Sequence, residues 1–206
     1  MKVLLLGGNG FIGQTFAKNY HKILSVTIVD QYKSATTLNL EIREIIGDIS
    51  NKDFLVEISK DFNCIINFAY DRQNLRNNYK IIHNITTACL VNKIVKLIHI
   101  STISVYNPFI NGILDEKSPY SNLYDPYSFI KRRQERMLSA FSQDQQCCEI
   151  TILQPTIVYG KGGYWSDHAG KEILKQIKNH LPVFEKDDRN MVFGMIISVE
   201  KENGLR

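Results

Sequence analysis

The sequence has no long hydrophobic run, and this absence limits the classes of protein that it can encode. Its longest apolar stretches, such as Val3–Leu6, have the length of a buried strand, whereas a membrane-spanning helix needs about 20 apolar residues. Val3–Leu6 is also too short for the hydrophobic part of a signal peptide. We therefore expect no membrane partner, and the cysteines, which show no redox-type pairing, fit a reducing, cytoplasmic location.

Metal-binding patterns and a strong charge of one sign are absent as well. The four cysteines include no C-x-x-C pair and the five histidines show no metal-type spacing, so the sequence predicts no metal site. The formal net charge of +4 is small for 206 residues, and we expect no nucleic-acid partner. With 44% hydrophobic and 22% charged residues, the composition is that of one globular domain, or one domain with a small appendage.

Short apolar segments alternate with helical patterns along the chain. The predicted strands are Lys2–Leu6, Ser25–Val29, Ile42–Ile46, Cys64–Phe68, Val95–Ile100 and Glu149–Leu153, with a further one at Met191–Val199. The predicted helices are Phe11–Lys22, Lys52–Lys60, Asn74–Asn92, Tyr127–Ser142 and Asp167–Asn179. Apolar strands connected by amphipathic helices indicate a parallel sheet with helices on both faces. The expected fold class is α/β, with a doubly wound parallel sheet.

A glycine-rich turn follows the first predicted strand directly. It reads Gly7-Gly8-Asn9-Gly10-Phe11-Ile12-Gly13 and continues into the first predicted helix. The first glycines allow a tight turn, Gly10 leaves room for a pyrophosphate against the backbone, and Gly13 permits close packing of helix and strand. A phosphate here meets unpaired N–H groups at the positive end of the helix dipole. This order of strand, turn and helix predicts a dinucleotide-binding site.

An acidic residue follows the second predicted strand. Asp30 lies 20 positions after Gly10, and a carboxylate there can accept hydrogen bonds from the adenosine ribose. The same carboxylate would repel a 2′-phosphate, so NAD is favoured over NADP as the cofactor. Lys33 lies close enough in the sequence to weaken that preference.

A tyrosine and a lysine share one face of a predicted helix. Tyr127 and Lys131 are four positions apart. A cation held beside a phenol stabilises the phenolate, which makes Tyr127 a candidate general acid–base. The spacing alone is common, but the hydroxyl-rich segment Ser101–Tyr106 strengthens the prediction that Tyr127 is catalytic. That segment follows the strand Val95–Ile100 at the edge of the sheet where open α/β folds bind ligands.

Taken in order, these motifs resemble the extended short-chain dehydrogenase/reductase family, and in particular its nucleotide-sugar epimerases and dehydratases. The resemblance covers about residues 1–165. Besides the motifs above, it includes Gly47-Asp48-Ile49, Ile65-Ile66-Asn67-Phe68-Ala69, Asn84, Gln154-Pro155 and Val158-Tyr159-Gly160. The 25 positions between Thr102 and Tyr127 are typical of the extended branch.

The resemblance implies a role for each matching residue. It implies that NAD is held by Gly7, Gly10, Phe11, Ile12, Gly13, Asp30, Asp48, Ile49, Ala69, Tyr127 and Lys131. The implied catalytic residues are Thr102, which bonds the substrate hydroxyl, Tyr127, the acid–base, and Lys131, which lowers the Tyr127 pKa and bonds the nicotinamide ribose. Hydride then passes from a sugar carbon to NAD while Tyr127 accepts the hydroxyl proton. A homodimer through the helices Asn74–Asn92 and Tyr127–Ser142 is implied as well.

Several positions depart from the family pattern. Ile103 and Ser104 stand where the 4,6-dehydratases of the family carry an Asp-Glu pair, which disfavours dehydration. Tyr70 replaces a small residue beside the cofactor, so we expect a narrowed or reshaped channel. Gln154 replaces a common arginine.

The chain is also shorter than members of that family. We expect residues 1–158 to form an NAD-binding Rossmann domain and residues 159–206 to form a small, truncated remnant of the C-terminal substrate lobe. The leading prediction is an NAD-dependent nucleotide-sugar epimerase or oxidoreductase. Two alternatives stay open, namely a cofactor-binding protein without turnover and a reductase of small carbonyl compounds.

Overall fold

Within the residues that the structure describes, seven strands form one sheet. The structure is a computed structural model, and it describes residues 1–34, 41–107, 114–121, 125–145, 147–156 and 158, together with the backbone of 195–199. The strands are β1 (Lys2–Leu6), β2 (Ser25–Asp30), β3 (Arg43–Ile46), β4 (Cys64–Asn67), β5 (Lys96–Ile100), β6 (Glu149–Pro155) and β7 (Met195–Val199). The helices are α1 (Phe11–Tyr20), α2 (Lys52–Ile58), α3 (Asn77–Asn92) and α4 (Pro126–Asp144).

The order of the strands is β3-β2-β1-β4-β5-β6-β7. Strands β1 to β6 are parallel, and β7 pairs with β6 in the antiparallel direction. From β1 the chain builds the sheet first toward β3 and then, through β4, toward the other edge. The reversal makes the gap between β1 and β4 the switch point at which such sheets bind ligands. The predicted doubly wound α/β fold is confirmed.

The core lies on both faces of the sheet. On β1, Leu4 and Leu6 belong to the cluster that contains side chains of α2, α3 and α4. Val3 and Leu5 alternate with them and belong to the cluster on the α1 face. All four side chains are fully buried. Burial on both faces explains why these strands appear in the sequence as continuous apolar runs rather than as alternating patterns.

Half of the predicted boundaries of the described elements coincide with the observed ones, and the others differ by one to four residues. Helix α3 begins at Asn77 rather than Asn74, because the Asp71 carboxylate accepts hydrogen bonds from the N–H groups of Gln73 and Asn74 at 2.9 and 2.8 Å and holds a turn there. The predicted helix Asp167–Asn179 and most of residues 159–206 lie outside the described residues, so the domain boundary stays a prediction. In the described part of the chain, no helix is long and apolar enough to cross a membrane.

Candidate active site

Two adjoining cavities open at the carboxyl edge of the sheet, beside the switch point between β1 and β4. The first has a volume of about 430 Å³, has Asp30 and Ile49 in its wall, and is called here the Asp30 cavity. The second has a volume of about 360 Å³, has Tyr127 and Lys131 in its wall, and is called the Tyr127 cavity. Both cavities share Gly7, Gly10, Phe68, Tyr70 and Arg72. Together they form one cleft.

The glycine turn between β1 and α1 shapes the floor of the cleft. Gly7 has a φ of +70°, and a Cβ there would lie 2.7 Å from the Cα of Ala69. A Cβ at Gly13 would lie 2.6 Å from the Cα of Gly8, so only glycine allows the helix to pack this closely on the turn. A Cβ at Gly10 would lie 3.3 Å from the Gly7 carbonyl oxygen, a tight contact that a shift of a few tenths of an ångström relieves. The backbone at Gly10 therefore faces the cleft, where the first N–H groups of α1 have no acceptor within the helix.

Asp30 lies at the end of β2, in the wall of the cavity named after it. Its carboxylate accepts hydrogen bonds from the N–H groups of Asn9 at 3.0 Å and Gln31 at 2.8 Å. The Asn9 side chain donates a further hydrogen bond to the carboxylate of Glu44 on β3. Two carboxylates are thus connected through Asn9. The sequence motif indicates Asp30 but carries no signal for Glu44.

Asp48 and Ile49 lie on the turn that follows β3. The N–H and the hydroxyl of Ser50 both donate to the Asp48 carboxylate at 2.8 Å. Burial raises the pKa of the Asp48 carboxyl, but the hydrogen bonds from Ser50 and Gln31 outweigh it and hold that pKa below its usual value. Asn84 of α3 supports the turn by donating to the carbonyl oxygens of Ile49 and Ser50 at 3.1 and 2.8 Å. Ile49 reaches the cavity wall, whereas the Asp48 carboxylate is engaged in the turn.

Thr102, Tyr127 and Lys131 lie together in the wall of the Tyr127 cavity. Helix α4 begins beside Tyr127 because the Asp125 carboxylate accepts hydrogen bonds from N–H groups of its first turn, the shorter at 2.9 Å. Tyr127 is 39% exposed, whereas Lys131 is 3% exposed. The Lys131 Nζ donates to the carbonyl oxygen of Ile100, at the end of β5, at 2.7 Å. This bond holds the lysine against the sheet.

The ionisable groups of this wall have shifted pKa values. Burial lowers the pKa of Lys131 to about 8, although the charge of Glu135 acts in the opposite direction. The pKa of Tyr127 is raised, because the effect of burial outweighs the charge of Arg72 and a hydrogen bond with Thr102, which both lower it. The Lys131 Nζ lies 6.0 Å from the centre of the Tyr127 ring. Arg72, which lines both cavities, is thus a second cation near Tyr127, and no motif in the sequence identifies it.

Tyr70 follows β4 and lies in the wall of both cavities. Its ring meets the Tyr127 ring edge-on, with centroids 4.9 Å apart and an interplanar angle of 77°. The Lys131 Nζ lies 5.2 Å from the centre of the Tyr70 ring. An edge-on aromatic pair contributes about 0.5–1.5 kcal/mol beyond the burial of its area, and a cation–π contact contributes about 0.5–2 kcal/mol. The ring is therefore held in the cleft by both neighbours.

A buried carboxylate beneath Lys131 is the main feature that the motifs miss. Glu135 is 3% exposed and lies one helical turn after Lys131. It accepts hydrogen bonds from the side chains of Ser101, of Gln154 at 3.0 Å and of Tyr120 at 3.2 Å. Burial raises the pKa of Glu135, and these bonds and the Lys131 charge only partly offset the rise. The spacing of four residues from Lys131 is the signal that could have identified it, because such residues share a helical face.

The remaining predicted cofactor residues also lie at the cleft. Ala69 lines the Asp30 cavity, and Phe11, Ile12 and Gly13 line the Tyr127 cavity. The structure thus brings every predicted site residue except Asp48 into the walls of these two cavities.

Comparison with known proteins identifies the family to which this chain belongs. The model of the NAD dependent epimerase/dehydratase family matches residues 3–192. No curated protein sequence matches the chain. The family match extends over both cavities of the cleft.

Similar solved structures include two epimerases and a dehydratase. The UDP-glucose 4-epimerase from Thermus thermophilus, solved with NAD, has a TM-score of 0.70 and 21% identity, over 89% of this chain and 64% of that chain. The dTDP-glucose 4,6-dehydratase from Bacillus anthracis str. Ames, also solved with NAD, has a TM-score of 0.71 and 21% identity, over 87% and 62%. The UDP-Glc/GlcNAc 4-epimerase from Campylobacter jejuni has a TM-score of 0.66 and 22% identity, over 73% and 52%. This likeness shows the fold, and the chain spans less than two thirds of each of these proteins.

Proposed function

The chain belongs to the NAD-dependent epimerase/dehydratase family, and from this premise we propose that its cleft binds NAD and supports an epimerase-type reaction on a nucleotide-sugar. In this proposal the adenosine lies in the Asp30 cavity and the nicotinamide lies beside Tyr127. One observation carries it: Thr102, Tyr127 and Lys131 line the same cleft as the glycine turn.

The residues of the Asp30 cavity and the glycine turn fit a dinucleotide. Gly10 leaves the backbone open at the start of α1, where unpaired N–H groups suit a pyrophosphate. Asp30 has oxygen atoms that can accept hydrogen bonds from ribose hydroxyls. The carboxylates of Asp30 and Glu44 would both repel a 2′-phosphate, which favours NAD over NADP.

The Thr102, Tyr127 and Lys131 side chains would act on a substrate hydroxyl. NAD, when bound, supplies the acceptor for a hydride from the carbon that bears this hydroxyl. Thr102 bonds the hydroxyl and directs it toward Tyr127, which takes its proton and returns it when the hydroxyl is formed again. The charges of Lys131 and Arg72 stabilise the phenolate that Tyr127 becomes in between.

Elimination of water is not part of the proposal, because the loop after β5 has no acid–base pair. Ile103 has no ionisable group, and the Ser104 N–H donates to the Thr102 Oγ1 at 3.2 Å. Ser104 therefore supports the position of Thr102 rather than supplying an acid or a base. Epimerisation and simple oxidation–reduction are the reaction classes that these residues support.

Calorimetric titration with NAD and NADP, alone and with UDP-, GDP- and dTDP-sugars, tests the proposal. We expect NAD to bind more tightly than NADP, and one nucleotide-sugar to bind in its presence. Tyr127→Phe should keep the NAD affinity and lower turnover by about 100-fold to 10,000-fold. The matched control Tyr20→Phe removes a phenol hydroxyl at the end of α1, outside both cavities, and should leave turnover unchanged.

Other outcomes of the same titration would replace the proposal. Binding of NAD without any nucleotide-sugar would indicate a cofactor-binding protein without turnover. Reduction of small aldehydes or ketones with NADH, in the absence of sugar binding, would indicate the reductase.

A homodimer through α3 and α4 belongs to the same proposal. Exposed apolar side chains lie on both helices, among them Val91 on α3 and Phe129 on α4. Sedimentation velocity at several protein concentrations tests this prediction, and a monomer at all of them would refute it.

A further inference from the structure

Tyr70 is one of two aromatic residues, with Phe68, that line both cavities. Tyr70 contributes to the wall of the Asp30 cavity and to that of the Tyr127 cavity. Its ring is 4.9 Å from the Tyr127 ring and 5.2 Å from the Lys131 Nζ, measured from the ring centre. It therefore lies beside two of the three residues that the proposed reaction requires.

The backbone next to Tyr70 is anchored to helix α3. The Asp71 N–H donates to the Asn78 Oδ1 at 2.9 Å, and the Asn78 Nδ2 donates to the Asp71 carbonyl oxygen at 2.8 Å. Asn78 is fully buried, so water does not compete for these bonds. With its backbone held in this way, the Tyr70 ring can leave its position only by rotation about its own side-chain bonds.

The ring limits access to Lys131. The ammonium group has three N–H donors, and one of them is directed at the Ile100 carbonyl oxygen at 2.7 Å. The same Nζ lies over the Tyr70 ring, 5.2 Å from the ring centre. A ligand hydroxyl that bonds Nζ must approach to about 3 Å. We therefore expect the ring and such a hydroxyl to compete for the space beside Nζ.

We propose that Tyr70 is a specificity-determining residue of the cleft, whose ring covers Lys131 and must rotate away before a ligand can extend from the Asp30 cavity to Tyr127. The inference rests on the proposed binding of NAD. A ligand confined to the Asp30 cavity, such as ADP, leaves the ring in place. A ligand with a second ribose beyond the pyrophosphate, such as ADP-ribose or NAD, must displace the ring. The ring then loses its contacts with Tyr127 and Lys131.

Titration calorimetry of two variants with ADP, ADP-ribose and NAD tests the inference. Tyr70→Ala removes the ring, and the matched control Tyr70→Phe keeps the ring and removes only the hydroxyl. We expect Tyr70→Ala to bind ADP-ribose and NAD about tenfold more tightly than the wild type, a change of about 1.4 kcal/mol. Its affinity for ADP should stay within about twofold, and Tyr70→Phe should resemble the wild type with all three ligands.

Three results would overturn the inference. Equal or weaker NAD binding by Tyr70→Ala, with ADP binding retained, would show that the ring does not obstruct the cleft. Equal gains for ADP and NAD would show that the effect is not specific to ligands that reach Lys131. Failure of the wild type to bind either ADP or NAD would overturn the proposed cofactor site itself, which distinguishes that failure from the other two.

A larger side chain gives the same test in the opposite direction. Tyr70→Trp should weaken NAD binding about fivefold and leave ADP binding unchanged, because the larger ring is harder to displace. This variant keeps the inference testable if Tyr70→Ala does not fold. An unchanged NAD affinity in Tyr70→Trp would contradict the inference.

Discussion

The two cavities of the cleft differ in the kinds of residue that form their walls. The wall of the Asp30 cavity includes Gly7 and Gly10 of the glycine turn, and Gly47 and Ile49 of the turn that follows β3. The Tyr127 cavity depends on side chains that are withdrawn from water, since Lys131 and its neighbour Glu135 are each 3% exposed. Burial moves the pKa of Lys131 down to about 8 and that of Glu135 up. The first cavity therefore depends on shape, and the second on a balance of buried charges.

The largest effect is expected from Gly13→Ala, which tests how far the glycine turn at the floor of the cleft depends on shape. The new Cβ would lie 2.6 Å from the Gly8 Cα, and no side-chain rotation can relieve a clash between two parts of the backbone. Overpacking of this kind lowers the free energy of unfolding by about 3 kcal/mol or more. The preference of a helix for alanine over glycine, roughly 1 kcal/mol, offsets only part of this loss. Chemical denaturation of the variant measures the loss.

Gly10→Ala is the matched control for that variant. Its Cβ would lie 3.3 Å from the Gly7 carbonyl oxygen, so the free energy of unfolding should stay within about 1 kcal/mol of the wild type. NAD binding should nevertheless weaken by about tenfold, because the methyl group stands where the pyrophosphate approaches the backbone. If both variants lost the same stability, the two glycines would have one role and this account of the glycine turn would be wrong.

Lys131→Met tests the balance of charges in the second cavity. The unfolded chain keeps this proton up to a pH near 10.5, whereas the folded protein releases it near 8. Between these values the unfolded state binds more protons, so the contribution of Lys131 to the free energy of unfolding rises with pH. Relative to the variant, the wild type should therefore gain up to about 3 kcal/mol between pH 8 and 10.5.

Denaturation at several pH values measures this difference. Lys60→Met, at an exposed lysine of the surface ion pair with Glu57, controls for the pH dependence of the rest of the chain. A difference between wild type and Lys131→Met that does not change with pH would show that burial does not govern this lysine, and the contrast between the cavities would be lost.

The contrast also explains what the sequence could predict. The glycine turn was predictable because its backbone leaves no room for a side chain at Gly13, where a Cβ would lie 2.6 Å from the Gly8 Cα. The glycines that this geometry requires are visible in the sequence. The strands were predictable for a similar reason, since burial on both faces requires continuous apolar runs such as Val3–Leu6. The fold class follows from these two patterns together.

The surroundings of the catalytic residues could not be predicted in this way. Glu135 meets Ser101 from the end of β5 and Gln154 from β6, residues that come together only when the sheet assembles. Their sequence separation leaves no periodic pattern. The same holds for Tyr70, whose replacement of a small residue is visible in the sequence but whose position against Lys131 depends on α4.

Glu135→Gln tests the contrast between the two cavities through a smaller effect, a shift in the pKa of Lys131. The charge of Glu135 raises the pKa of Lys131, so its removal should bring that pKa below about 8 while the side-chain volume is kept. NMR titration of the lysine side chains measures the change directly. With the proposed substrate, the alkaline limb of the kcat/KM profile should move to lower pH as well. Glu149→Gln, at an exposed ion pair with Lys96, is the control, and an equal shift in both variants would contradict the role of Glu135.

The smallest effect is expected from Glu44→Gln, which asks whether charge matters in the first cavity at all. Glu44 is exposed and connected to Asp30 through Asn9, so its carboxylate adds to the repulsion of a 2′-phosphate. Between exposed groups such a repulsion is worth less than about 1 kcal/mol, so NADP should bind only a few-fold more tightly to the variant while NAD binding is unchanged. Because salt screens exposed charges over about 10 Å at 0.1 M, the gain should shrink further at high ionic strength.

Glu57→Gln, at the opposite edge of the sheet, is the control. A gain for NADP that is large and independent of salt would mean that the first cavity also depends on charges shielded from water, and the distinction between the two cavities would not hold.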